Sequence, residues 1–159
     1  MNHRLLGRSR VILIAVAVVL CDQLSKAWIT DLLRDGRSLQ AVPGLLDLHL
    51  VHNTGAAFSL LRGATPVLGL LSLLVVIAVL IWLWRQQRLP IWQGMAVGLL
   101  LGGSLGNGLD RWRLGYVVDF LALVPVDFPI FNPADIAINL AVICFAVDLW
   151  SNRSGSRRG

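Results

Sequence analysis

Residues 63–84 read GATPVLGLLSLLVVIAVLIWLW, a run without a charged side chain that Arg62 and Arg85 bracket. About 20 helical residues at ~1.5 Å rise cross ~30 Å of hydrocarbon, so this run alone can span a bilayer. Working outward from it, similar stretches lie on both sides. The spans are predicted at 11–29, 64–84, 90–109 and 134–150; the first carries Asp22 and Lys26 near its end, and the last opens beside Asp135. A chain that is 56% hydrophobic and 14% charged is too apolar for a soluble domain of 159 residues. The expectation is an all-α membrane protein of four transmembrane helices, with both termini on one side.

Charge gives the orientation. Segments 1–10, 85–91 and 151–159 hold eight arginines in 26 residues, whereas 30–65 and 110–133 hold five in 60. By the positive-inside rule the termini are cytoplasmic and the two longer connections extracytoplasmic. The net charge of +5 therefore reads as topogenic: the basic residues flank spans and form no aromatic-interleaved patch, so no nucleic-acid partner is expected. Trp28 and Trp112 fall at outer span ends and Trp82, Trp84, Trp92 and Trp150 at inner ones, as interfacial belts require. Cys21 and Cys144 lie in different spans with no metal-ligand spacing and read as small core residues. A cleavable leader ending at Cys21 would need a small residue before the cysteine, and Leu20 stands there.

The outer connections are not featureless. Leu46, Leu48 and Leu50 alternate with Asp47, His49 and Val51, which is strand spacing, with turn signals at Pro43-Gly44 before and Asn53-Thr54-Gly55 after. A small extracytoplasmic β-sheet is predicted between the first and second spans, within 38–60. In the second connection Pro125, Pro129 and Pro133 forbid one continuous helix, so Asp119 and Asp135 belong to separate elements. No repeat or linker divides the chain; residues 1–159 read as one domain with a flexible tail at 151–159.

In the third span Gly94, Gly98, Gly102 and Gly106 recur every fourth residue and share a face on which another helix can approach closely. Gly102-Gly103-Ser104-Leu105-Gly106 matches a nucleophile elbow in letters, but an elbow needs a strand-to-helix turn and this serine lies inside a span. His49 and His52 sit on a strand, His3 in the amino-terminal tail, and the chain has no glutamate, which excludes a zincin motif and leaves no metal site expected. The side chains left to activate water are aspartates. Asp22 and Lys26 are spaced for an ion pair on one helix face; a bridge with Lys26 reaching outward explains both without chemistry and stands beside a supporting role. Asp110 and Arg111 suit a span end, and Asn107, one turn before Arg111, needs partners and is placed to fix a loop or a substrate carbonyl. Asp119, between valines and phenylalanine with no basic residue within five positions, has no such account. Asp135 has one: Asn132 reads as an N-cap and Pro133 as the first helical residue, so the helix N-terminus stabilises the acid. Brought together around one water, the two carboxyls share a proton, giving one acid and one base, with Asp135 favoured as the base.

These residues form a pattern. Asp22-Gln23-Leu24-Ser25-Lys26, Asn53 through Ser59, Gly106-Asn107 with Asp110-Arg111, Gly115 with Val117-Val118-Asp119-Phe120, and Phe131-Asn132 with Ala134-Asp135 resemble, in order, the motifs of the bacterial lipoprotein signal peptidases. The resemblance implies a metal-independent, cofactor-free aspartic peptidase of the bacterial plasma (inner) membrane. Such an enzyme removes the signal peptide of diacylglyceryl-modified prolipoproteins before the lipidated cysteine, near the extracytoplasmic face, and is inhibited by globomycin. Asp119 and Asp135 match the catalytic pair. Asp22, Lys26, Asn53, Gly55, Asn107, Asp110, Arg111, Asn132 and Ala134 match the other motif positions, expected to position the dyad, its loops and the substrate. Ile136 departs from the small hydroxyl residue that often follows the second aspartate, and the connection between the two aspartates is rather short. A proton-coupled carrier would want acids along a pathway and a repeat in the spans; a scaffold would explain the glycines and leave Asp119 without a role.

Overall fold

A computed structural model of the chain describes residues 5–55 and 63–156, with side chains described as far as 151. Its elements run β1 (Leu5–Gly7), α1 (Arg8–Leu32), β2 (Leu39–Val42), β3 (Leu46–Asn53), α2 (Thr65–Trp84), β4 (Arg88–Pro90), α3 (Ile91–Leu114), β5 (Val117–Leu123) and α4 (Pro133–Ser156). The helices alternate in direction, so β2, β3 and β5 gather at one end of the bundle and β1 pairs antiparallel with β4 at the other. Arg8 fastens that second end, donating to the Trp84 carbonyl at 2.9 Å and stacking its guanidinium 4.6 Å from the Trp84 ring.

α3 packs against each of the other three helices. Its glycines allow this. A Cβ added at Gly98 would stand 2.9 Å from the Val11 carbonyl and one at Gly102 2.8 Å from that of Ala15, so α1 lies backbone to backbone on the glycine row; Gly103 is equally tight against the Ala134 carbonyl on α4. On its other side Trp112 donates to the Gly69 carbonyl of α2 at 3.0 Å. α3 ends at Gly115, whose φ of 81° is the left-handed C-cap geometry open to glycine, and the chain turns there into β5.

Three helices are long and apolar enough to cross a membrane: α1, α2 and Pro133–Ser151 of α4. The expectation of four spans therefore meets three by this measure. α3 falls short because glycines, Gln93, Ser104 and Asn107 replace aliphatic side chains where it faces protein, and half of its residues are buried. The sheet is also larger in origin than expected. Its order is β2-β3-β5, so the third strand comes from the connection after α3, and the sheet is not built only between the first two helices. Residues 56–60 of the predicted β segment lie outside the described residues. α4 runs on to Ser156, since no proline stops an established helix from propagating. Cys144 is buried as predicted, whereas Cys21 points outward from α1.

Candidate active site

The setting of Asp119 follows from strand alternation. Val118 and Phe120 face one side of β5 and pack with Ile29 of α1, with Leu33 just past its end and with Leu48 and Leu50 of β3 in a buried cluster under the sheet. Val117 and Asp119 face the other side, and β3 delivers Val51 opposite Asp119 and Asn53 opposite Val117. A run that reads as an acid among hydrophobes is thus a two-faced strand carrying its buried carboxylate on the face that lines a cavity.

After the proline-rich turn the chain returns to β5. Phe131 accepts from the Leu121 N–H at 2.9 Å and donates to the Leu121 carbonyl at 3.1 Å, which sets the following residues beside Asp119. There α4 begins with a reciprocal cap: the Asn132 side-chain oxygen accepts from the Asp135 N–H at 3.0 Å, and the Asp135 carboxylate accepts from the Asn132 N–H at 3.2 Å. The Asn132 amide then donates to Asp119 at 2.6 Å and to the Asn107 oxygen at 3.0 Å, while Asn107 donates to Asp135 at 2.8 Å. Asn53 donates to the second oxygen of Asp119 at 2.8 Å. Asn132, fully buried, touches both acids, and both line one cavity of about 1040 Å³ with Asn53, Gly55, Asn107, Arg111 and residues of the 127–131 loop. Burial raises the Asp119 carboxyl from 3.8 to about 6 against the opposing Asn53 hydrogen bond, and the neighbouring charge of Asp135 pushes it the same way as burial.

The remaining predicted residues form a brace behind the acids. Lys26 is buried, not extended outward: its ammonium lies 2.9 Å from Asp22 and 2.8 Å from Asp110 and donates to Asn107 at 3.1 Å, using all three protons. It turns inward because those partners satisfy it better than the interface would. Asp22 accepts from the Ala134 N–H at 3.1 Å and Asp110 from the Val118 N–H at 3.1 Å. Those are the peptides next to Asp135 and Asp119, so one lysine holds the two carboxylates that place both acid-bearing elements. Asp110 is therefore more than a span-end charge. Arg111 donates to the Gly55 carbonyl at 3.1 Å, and Gly55 donates to the Asn53 side chain at 2.9 Å, which fixes the turn after β3.

Gln23 was passed over in the sequence although it stands inside the first motif; its amide donates to Asp22, Asp110 and the Gly106 carbonyl. The signal was its place one residue from Asp22, on the face shared with Lys26 one turn on. Ser104 lies mid-helix on α3, away from any strand-to-helix turn. His52 stacks on Tyr116 with ring centroids 4.1 Å apart, a packing role. Among the described residues no group of three or more His, Cys or Asp side chains could hold a metal ion. Chemically, two acids wrapped by amide donors in a cavity can take up and deliver one proton each.

The sequence model of the family described as Signal peptidase (SPase) II matches residues 14–151. The chain is 61% identical over its whole length, and that of the relative, to the lipoprotein signal peptidase of Parasynechococcus marenigrum (strain WH8102). It is 34% identical, over 89% of this chain and 92% of the relative, to that of Streptococcus agalactiae serotype III (strain NEM316). A solved bacterial membrane enzyme, obtained by the in meso method at 2.3 Å resolution, superposes with a TM-score of 0.85 at 33% identity, covering 92% of this chain and 91% of the other. A second, at 1.9 Å resolution, gives 0.81 at 32%, covering 94% and 97%.

Proposed function

This chain belongs to the signal peptidase II family and removes signal peptides from prolipoproteins, and we propose that it does so as an aspartic endopeptidase whose reacting groups are Asp119 and Asp135. The observation that carries this is Asn132: one buried residue donates at once to the carboxylates of two aspartates sixteen residues apart, to Asp119 from its side-chain amide and to Asp135 from its backbone N–H, and both aspartates line one cavity. Water held between the carboxyls gives a proton to the ionised acid as its oxygen attacks the scissile carbonyl carbon, and the protonated acid gives its proton to the carbonyl oxygen. As the resulting diol collapses, one of its hydroxyls returns a proton to the carboxylate that had acted as acid, the C=O bond re-forms, the C–N bond breaks, and the departing nitrogen takes up the proton held by the base. The helix N-terminus against Asp135 suits it to the base role; Asp119, raised to about 6, suits the acid. No metal takes part.

In this reading the substrate is cleaved before a diacylglyceryl-modified cysteine and reaches the cavity sideways from lipid, residues 1–159 act as one domain, and α3 crosses the bilayer as a fourth span enclosed by the others. The enzyme sits in the plasma membrane with termini inside and the three-stranded sheet outside, and globomycin-type peptides compete for the same cavity. The test is cleavage of a diacylated prolipoprotein peptide by purified protein. Asp119→Asn and Asp135→Asn, each shown to be folded, are expected to lose at least 10³-fold in rate, and chelator is expected to change nothing. Substantial cleavage by either variant would overturn the dyad.

A further inference from the structure

Between Asp135 and Asp148 the sequence offers one side chain with an amide, hydroxyl or charge, Asn139; the rest are Ile, Ala, Leu, Val, Phe and Cys. It lies one turn into α4, about 6 Å further into the span than Asp135 at ~1.5 Å per residue. Asn139 is exposed, and it lines the cavity of the two acids together with Ile136, Ile138 and Leu140. Its amide donates to the Asp135 carbonyl at 2.9 Å. Its second N–H and its carbonyl oxygen form no other hydrogen bond among the described residues. An amide left so beside hydrocarbon is unfavourable, and an alanine or leucine would avoid that. The cost is offset when the cavity is filled by something that completes the amide.

Resting on the peptidase reading, we propose that Asn139 donates a hydrogen bond to a carbonyl oxygen of the bound substrate, making it a binding and specificity residue at the lipid side of the cavity. With the scissile peptide at the acids, a thioether-linked glyceride on the next cysteine hangs its ester carbonyls a few bonds away, toward the span. Asn139 stands at that depth, and Ile136 and Leu140 beside it present apolar surface to the acyl chains. A peptide carbonyl of the signal segment offers the same chemistry at the same wall.

The experiment measures kcat and KM of wild type, Asn139→Leu and Asn139→Gln on two lipopeptides, one with ester-linked acyl chains and one with ether-linked alkyl chains. Asn139→Leu, which keeps volume and makes the span more apolar, is expected to raise KM roughly five- to tenfold on the ester substrate with kcat within about twofold, and Asn139→Gln to recover part of it. If the ester is the partner, wild type shows the raised KM on the ether substrate and the substitution adds nothing there; if a peptide carbonyl is, KM rises alike on both. Unchanged KM on both substrates, or a fall in kcat alone such as displacement of Asp135 would cause, overturns the proposal. Failure of wild type to cleave either lipopeptide would instead refute the peptidase reading itself.

Discussion

At Asp119 a strand position and the demand of the proposed mechanism coincide. A carboxyl lifted to about 6 keeps its proton over a range in which an ordinary one at 3.8 has lost it. As pH rises through that value the proposed dyad would lose the proton it must deliver, so kcat/KM is expected to bend downward on an alkaline limb near pH 6. The limb in kcat should lie higher, because bound substrate excludes more water from the acid. Stability carries the same sign. The folded chain holds this proton more tightly than the unfolded one, so the contribution of Asp119 is complete below about pH 4 and is lost as pH rises through about 6. Thermal melts of Asp119→Asn should lack that slope; an unchanged slope would assign it to another group. The sequence exposed Asp119 by its company of hydrophobes. It left Lys26 open between an outward bridge and a supporting role, because Asp110 and Asn107, which draw the ammonium inward, stand on α3, and only the i,i+4 partner Asp22 is visible locally.

Among the elements, α1, α3, β5 and α4 meet through a single buried cation. Asp22 holds the start of α4 and Asp110 the start of β5, each by a backbone N–H, and Lys26 neutralises both. Removing one partner of a buried ion network leaves charge uncompensated, so Lys26→Met is expected to destabilise the protein by about 3–5 kcal/mol and to lower activity by disordering both acid-bearing segments. Arg34→Ala, which breaks an ion pair with Asp31 in which both side chains are 79% exposed, should change stability by less than about 0.5 kcal/mol. Paired thermal melts decide; equal effects would contradict the bracing role. The helices were legible because apolar runs of bilayer length have few alternatives, and β3 because Leu46, Leu48 and Leu50 keep a period of two. β5 was not. Val117–Leu123 shows its alternation only once Phe120 and Val118 are known to face α1, and its partner strand lies across α2 and α3 in sequence.

For the molecule as a whole, the reading assigns the sheet end to the outside and the β1–β4 end to the cytoplasm. With Cys21 and Cys144 replaced by alanine, intact cells carrying Asp127→Cys should react with a membrane-impermeant thiol reagent, while cells carrying Arg88→Cys should react only after lysis. The reverse pattern would invert the topology. Exposed tryptophans stand at both ends of the bundle, Trp28 on the sheet side and Trp84 and Trp150 on the other, where two membrane interfaces would lie. Similarity of fold reaches the same scale, since the likeness to solved membrane enzymes extends over nine-tenths of the chain. The glycine row of α3 has a consequence for biogenesis. A helix that spends its surface on close contact gains little from partitioning into lipid unaided, so the translocating machinery should release it only alongside neighbours already made. Chains from which α1 is deleted would then let α3 slip back or be degraded, while chains that carry α1 ahead of it would retain it.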